Sequence, residues 1–162
     1  MTEDDLFVCK TRGMADNIWS DDWDSLGDND WEQGTKSFRL PSEGALLGAS
    51  VYELPPGART AYHFHHGSEE LLIALTDGVT VRTPSGEREL AAGDAVSFPA
   101  GPEGTHGQLN DTDGPVRYLV AGTRTSPEVV EYPDLGQLTA QSRLSSQKGD
   151  RLFVIHTLQE EE

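Results

Sequence analysis

The chain has 162 residues, enough for one domain with arms and a squeeze for two separate cores. Its 28 acidic residues against 12 basic ones give a net charge of −16, which sets phosphate backbones and anionic lipid surfaces at a disadvantage, so neither nucleic acid nor membrane is expected as a partner. The single cysteine, Cys9, excludes an internal disulfide, and no run approaches the ~20 apolar residues of a membrane span.

The N-terminal MTEDDLF is acidic where a secretory signal needs a basic start and an apolar stretch, which predicts a cytoplasmic protein. Residues 1–34 read as an acidic arm that holds all three tryptophans, Trp19, Trp23 and Trp31. Segments that stay disordered usually lack aromatics, so the indoles are expected to pack against the domain or against a second subunit. The aspartates of the arm miss the D-x-[DN]-x-[DN]-G spacing, and no calcium loop is expected.

From residue 35 to 125 the texture changes to short β-prone runs such as ALLGASVYEL, ELLIAL, VTVRT, DAVSF and VRYLVAGT. They are separated by PPG, DG, PSG, AGD and DTDG, where Pro fixes φ and Gly supplies positive φ. Val79 and Val81 alternate with Thr80 and Arg82, the period of a half-buried strand. Short strands with frequent turns predict an all-β sandwich or barrel. Residues 126–162 read as a C-terminal extension. The polar QLTAQSRLSSQKGD is expected to be a loop, one strand is expected over 151–157, and QEEE is a solvated end.

The stretch AYHFHHGSEELLIAL places three of the five histidines and two glutamates just before an apolar run. On a strand, side chains two apart share a face, so His63 and His65 project together, with Tyr62 and Phe64 opposite. A turn at HGS then returns Glu70 beside them. Two imidazoles and a carboxylate make most of a site for a borderline divalent metal, with one ligand still to come from elsewhere. His106, after a strand and a Pro/Gly turn, has the context to supply it, whereas His156 has no partner nearby in sequence. The opposing reading is a hydrogen-bonded polar cluster without metal. His66 and Glu69 alternate out of phase and read as rim groups. Arg59 and Arg82 read as exposed strand charges, one of which could clamp an anionic substrate if it stood near the mouth.

The stretch PGARTAYHFHHGSEELLIALTDG resembles the first motif of the cupin superfamily, G-x5-H-x-H-x3-4-E-x6-G, through Gly57, His63, His65 and Glu70. The second motif, G-x5-P-x-G-x2-H-x3-N, is similar through Gly93, Pro99, Gly101, His106 and Asn110. Two departures stand out. The closing glycine of the first motif falls on Asp77, with Gly78 one place later, and four residues instead of two separate Gly101 from His106. The likeness spans about residues 40 to 125 and is nearest to single-domain cupins that largely lack an assigned reaction. It implies a small double-stranded β-helix (jelly-roll) barrel, usually dimeric, with arms at both ends. One divalent transition metal (Mn, Fe, Ni, Zn, Co or Cu) would be held inside by His63, His65, Glu70 and His106.

Such a site leaves coordination positions open for water, dioxygen or a small substrate. The expected function is therefore that of a metalloenzyme acting on a small oxygen-bearing organic molecule, oxygenase- or isomerase-like. The alternative is a non-catalytic cupin that binds a metal or a small molecule. A transcriptional regulator is disfavoured, since no helix-turn-helix segment precedes the barrel.

Overall fold

The β-prone runs become thirteen strands among the described residues, which in this computed structural model are 16–27, 34–44, 46–145, 149 and 151–158. Cys9, Trp31 and the acidic end at 159–162 lie outside them. In chain order the strands are β1 Ser25–Leu26, β2 Lys36–Arg39, β3 Leu47–Leu54, β4 Phe64–His65, β5 Glu70–Ala74, β6 Val79–Thr83 and β7 Gly86–Leu90. There follow β8 Ala95–Phe98, β9 Gly107–Asn110, β10 Val116–Thr123, β11 Glu128–Tyr132, β12 Gln137–Ser145 and β13 Arg151–Thr157. They form three antiparallel sheets, ordered β1-β2-β3-β10-β5-β8, β13-β12-β11-β4 and β7-β6-β9. Short bridges, His63 to His106 and Arg59 to Leu109, join them around one interior. The fold is the expected all-β jelly roll. Among the described residues no helix is long and apolar enough to cross a membrane.

Alternation decides what faces inward. On β3, β5 and β10 the inner face carries Leu54, Leu72, Ala74, Val116 and Tyr118, all buried, and they close with Val79, Val81, Leu90 and Phe98 into the main core. The outer face of the same sheet carries Val51 and Leu119, over which Phe38, Leu40, Ile18 and Trp23 pack as a second cluster. The described residues 16–27 of the arm thus pack on the sheet through Ile18 and Trp23, whose ring meets Phe38 with centroids 5.2 Å apart, whereas Trp19 is exposed. Arg117 ties the arm down through Asp21 at 2.8 Å and Glu53 at 2.8 Å, its guanidinium 4.8 Å from the Trp23 ring.

Two turns matter for the site. Between Pro99 and His106 the additional residues are taken up by a 3-10 turn over Pro102–Gly104, so the longer spacing is absorbed and His106 still pairs with His63. Gly104 is required there, because a β-carbon would stand 2.9 Å from the Pro99 carbonyl carbon. After β9, Asn110 is fully buried and closes the DTDG turn, donating from Nδ2 to the carbonyls of Leu54 and Gly114 and accepting from Thr112.

Over residues 137–145 the polar stretch after Gly136 is not the expected loop; 146–148 and 150 lie outside the described residues. Residues 137–145 form β12, paired on one side to β11 and on the other to β13. Its stability comes from backbone hydrogen bonds on both edges, which leave no apolar periodicity in the sequence. β11 in turn pairs with β4, Val130 opposite His65, so the segment beyond residue 125 supplies wall next to the histidines.

Candidate metal centre

His63, just before β4, and His106, just before β9, exchange backbone hydrogen bonds at 2.9 Å in both directions. This bridge sets their imidazoles side by side, ring centroids 4.7 Å apart. His65 follows on β4 and points to the same interior, 5.1 Å from the His63 ring. Glu70 opens β5 and reaches in from the facing sheet, its Oε2 3.1 Å from His106 Nε2 and 3.4 Å from His65 Nε2. Ligand atoms of His63, Glu70 and His106 all lie within 4.8 Å of one another, with His65 alongside. Four side chains from three sheets therefore meet at one place.

Each imidazole is held by its other nitrogen. Nδ1 of His63 donates to the Ala61 carbonyl at 2.8 Å, and Nδ1 of His106 to the Gly104 carbonyl at 2.8 Å. Nδ1 of His65 meets Glu128 Oε1 at 3.0 Å. With Nδ1 carrying the proton in all three rings, every Nε2 presents a lone pair to the centre, the orientation that metal-ligating histidines need. Phe98 lies flat against His106, ring centroids 3.7 Å apart, and fixes its plane. His65 Nε2 is buried and has no hydrogen-bond partner.

The charges respond to this crowding. Burial would raise the Glu70 carboxyl, but contacts with His106 and His65 outweigh it and hold Glu70 well below the usual carboxylate range. Burial lowers His63 to about 4, reinforced by the neighbouring His106, so this ring is neutral at ordinary pH. His65 goes the other way: burial would lower it, yet Glu70 and Glu128 together raise it. A cation, whether proton or metal, is what these facing acceptors call for.

The remaining candidates face elsewhere. His66 is exposed, paired with Glu131 at 3.2 Å and stacked on Phe64; Glu69 is exposed as well. His156 is exposed on β13. Arg82 is held by Asp134 and stacks over the Tyr62 ring at 3.8 Å, outside the interior.

Glu128 is the residue that sequence spacing did not reveal. It is 4 % exposed, and besides His65 it accepts hydrogen bonds from Ser68 at 2.9 Å and Thr125 at 3.2 Å. Its place on the face of β11 shared with Val130 and Tyr132 is the one local signal, an acid in phase with apolar positions. In front of the centre lies a cavity of about 270 Å³ whose walls include Tyr52, Thr60, Gln108, Tyr118 and Tyr132.

The chain has known relatives. The family model described as a cupin domain matches residues 50–122. A curated relative, the (R)-mandelonitrile lyase of Granulicella tundricola, is 35% identical over 90 residues, covering 53% of this chain and 68% of that protein. The chain belongs to the cupin family. Among solved structures, this cupin is similar to a cupin-superfamily sugar phosphate isomerase from Silicibacter pomeroyi, at 28% identity and TM-score 0.66, covering 76% of each chain. It is also similar to a candidate sugar phosphate isomerase from Acidithiobacillus ferrooxidans, at 26% identity and TM-score 0.57, covering 76% of this cupin and 82% of that chain.

Proposed function

We propose that this cupin binds one divalent transition metal through His63, His65, Glu70 and His106 and acts as an enzyme on a small oxygen-bearing organic molecule. The observation that carries this reading is the convergence of three imidazoles on one carboxylate, with the buried His65 Nε2 3.4 Å and His106 Nε2 3.1 Å from Glu70 Oε2 and His63 in the same cluster. Such acceptors repel one another unless a cation sits among them. Imidazole and carboxylate donors suit Mn, Fe, Co, Ni, Cu and Zn alike, and a bound metal would polarise a substrate oxygen as a Lewis acid.

The chain's own residues supply the rest. Gln108 is buried and accepts from Thr60 Oγ1 at 2.6 Å through its carbonyl oxygen, which leaves its amide N–H groups to orient a substrate oxygen in the cavity. Outside the four proposed ligands, the ionisable side chains lining that cavity are Tyr52, Tyr118 and Tyr132. Tyr52 stacks on Tyr118 with centroids 5.2 Å apart, and the Tyr132 ring lies 5.9 Å from His63. We assign the holding of a proton beside the substrate to Tyr52 or Tyr132. Of the oxygenase and isomerase readings we favour the isomerase, because the two structural relatives carry that activity in their names and share 76% of the chain.

The test is turnover in D2O by the metal-reconstituted full chain, offered aldose/ketose pairs and hydroxy-oxo compounds and followed by NMR. The expected result is interconversion, with deuterium at the migrating position when the proton exchanges with solvent. Metal uptake without any turnover would leave the non-catalytic binding cupin as the reading. The protein is further proposed to be a cytoplasmic homodimer, which light scattering of the purified chain tests.

A further inference from the structure

The interior has a second lobe, about 200 Å³, on the mouth side of His65 and Glu70. Two arginines line it, Arg39 and Arg124. Arg39 ends β2 opposite Ser50, so its side chain starts on the inner face of the large sheet. Arg124 follows β10, and its backbone N–H bonds to the Leu46 carbonyl at 2.7 Å on the other side of β3. The two cations thus stand on the strands that flank β3, with only Gly48 and Ser50 on the inner face between them. Gly48 is needed for this: a β-carbon there would stand 2.9 Å from Arg124 Nη2, because the guanidinium lies across the glycine.

Neither guanidinium has a carboxylate partner among the described residues. Arg82, Arg88 and Arg117 are ion-paired, whereas Arg39 and Arg124, like Arg59 outside this lobe, are not, and of these three only Arg39 and Arg124 line the lobe beside His65 and Glu70. The two acids of the same lobe are already engaged, Glu70 by His65 and His106, Glu128 by His65, Ser68 and Thr125. A planar guanidinium presents a fork of donors that matches tetrahedral oxyanions, and two of them match a dianion.

We propose that Arg39 and Arg124 clamp the phosphate of a small phosphate monoester, whose carbon chain then extends past His65 and Glu70 into the 270 Å³ lobe. This rests on reading the barrel interior as the reaction chamber, and it assigns the substrate class for that chamber. The chain's acidity repels small anions in general, so an unneutralised cation pair at the mouth selects those that fit between β2 and β10.

The experiment is calorimetric titration of the full chain, in metal-free and metal-loaded forms, with glycerol 3-phosphate, glycerol and glycerate at fixed ionic strength. The wild type is expected to bind the phosphate ester in both forms. Arg39→Gln and Arg124→Gln should each weaken that binding about tenfold or more, as expected for loss of a charge-assisted pair, with metal content unchanged. Arg124→Lys, which keeps the charge and loses the fork, should fall between. Gly48→Ala should weaken binding by displacing Arg124, without touching any ion pair. Equal affinity in variant and wild type, no measurable binding by the wild type, or glycerate held as tightly as the phosphate ester would each overturn the clamp. Because the metal-free arm stands alone, failure to take up metal removes the metal reading and leaves the clamp tested on its own.

Discussion

The two ends of the barrel interior are built from the same strands and have opposite character. On β3 the inward positions run from Leu54 and Tyr52 to Ser50 and Gly48; on β5 they run from Ala74 and Leu72 to Glu70. One end is closed apolar core, the other holds imidazoles, carboxylates and hydroxyls around a cavity. The difference teaches that stability and chemistry are segregated along each strand. A polar end is tolerable because the apolar end, with Leu72, Val79 and Val116 at 0–2% exposure, carries the burial that holds the sheets together.

The segregation can be broken first at the polar end. His63→Ala and His106→Ala in tag-free protein should reduce near-stoichiometric metal to background by elemental analysis, with the β circular dichroism kept. Next in size, Leu72→Ala should cost about 2–5 kcal/mol in chemical denaturation and leave metal stoichiometry unchanged, since Leu72 stands a full turn of the pleat behind Glu70. Loss of metal in that variant while it remains folded would show that the two ends are not independent.

A sharper comparison comes from Glu128→Gln, which keeps the shape but removes the charge behind His65. Metal affinity should fall about 10–100-fold in competition titrations. The smallest effect is a pH slope in the metal-free protein. His63 is lowered to about 4 in the fold against 6.5 in the unfolded chain, so between those values the unfolded chain binds the extra proton. Its contribution to stability is present above pH 6.5 and is lost as pH falls toward 4. His65, raised by its two carboxylates, contributes in the opposite sense: fully below pH 6.5, and lost as pH rises through its folded value. Denaturation midpoints for His63→Gln should lack the acid-side loss, whereas His65→Gln should lose stability chiefly at and below pH 6.5.

Much of the centre was legible in the sequence because it is local. Strand period puts His63 and His65 on one face and a short turn returns Glu70; these need no knowledge of distant pairing. His106 is legible through its turn, although the longer spacing is accommodated by the Pro102–Gly104 turn, which the motif does not encode. Glu128 lies 63 residues from the imidazole it holds, and only the pairing of β11 with β4 brings them together. The same non-locality hid Arg39 and Arg124, whose inward facing depends on register across β3. Arg59 and Arg82, which sit beside the histidine motif and on a legible strand, are the arginines that local pattern offers, and Arg82 is committed to Asp134. β12 was missed because its residues are polar and its order comes from partners on both edges.

The most direct test is a competition titration of divalent metal into the tag-free, metal-stripped full chain, repeated across pH. One equivalent bound per chain, with affinity that drops steeply below pH ~6 as imidazoles take up protons, and no such binding by Glu70→Gln, is the predicted result. Absence of uptake at neutral pH, or an affinity that stays level down to pH ~4, would contradict the account.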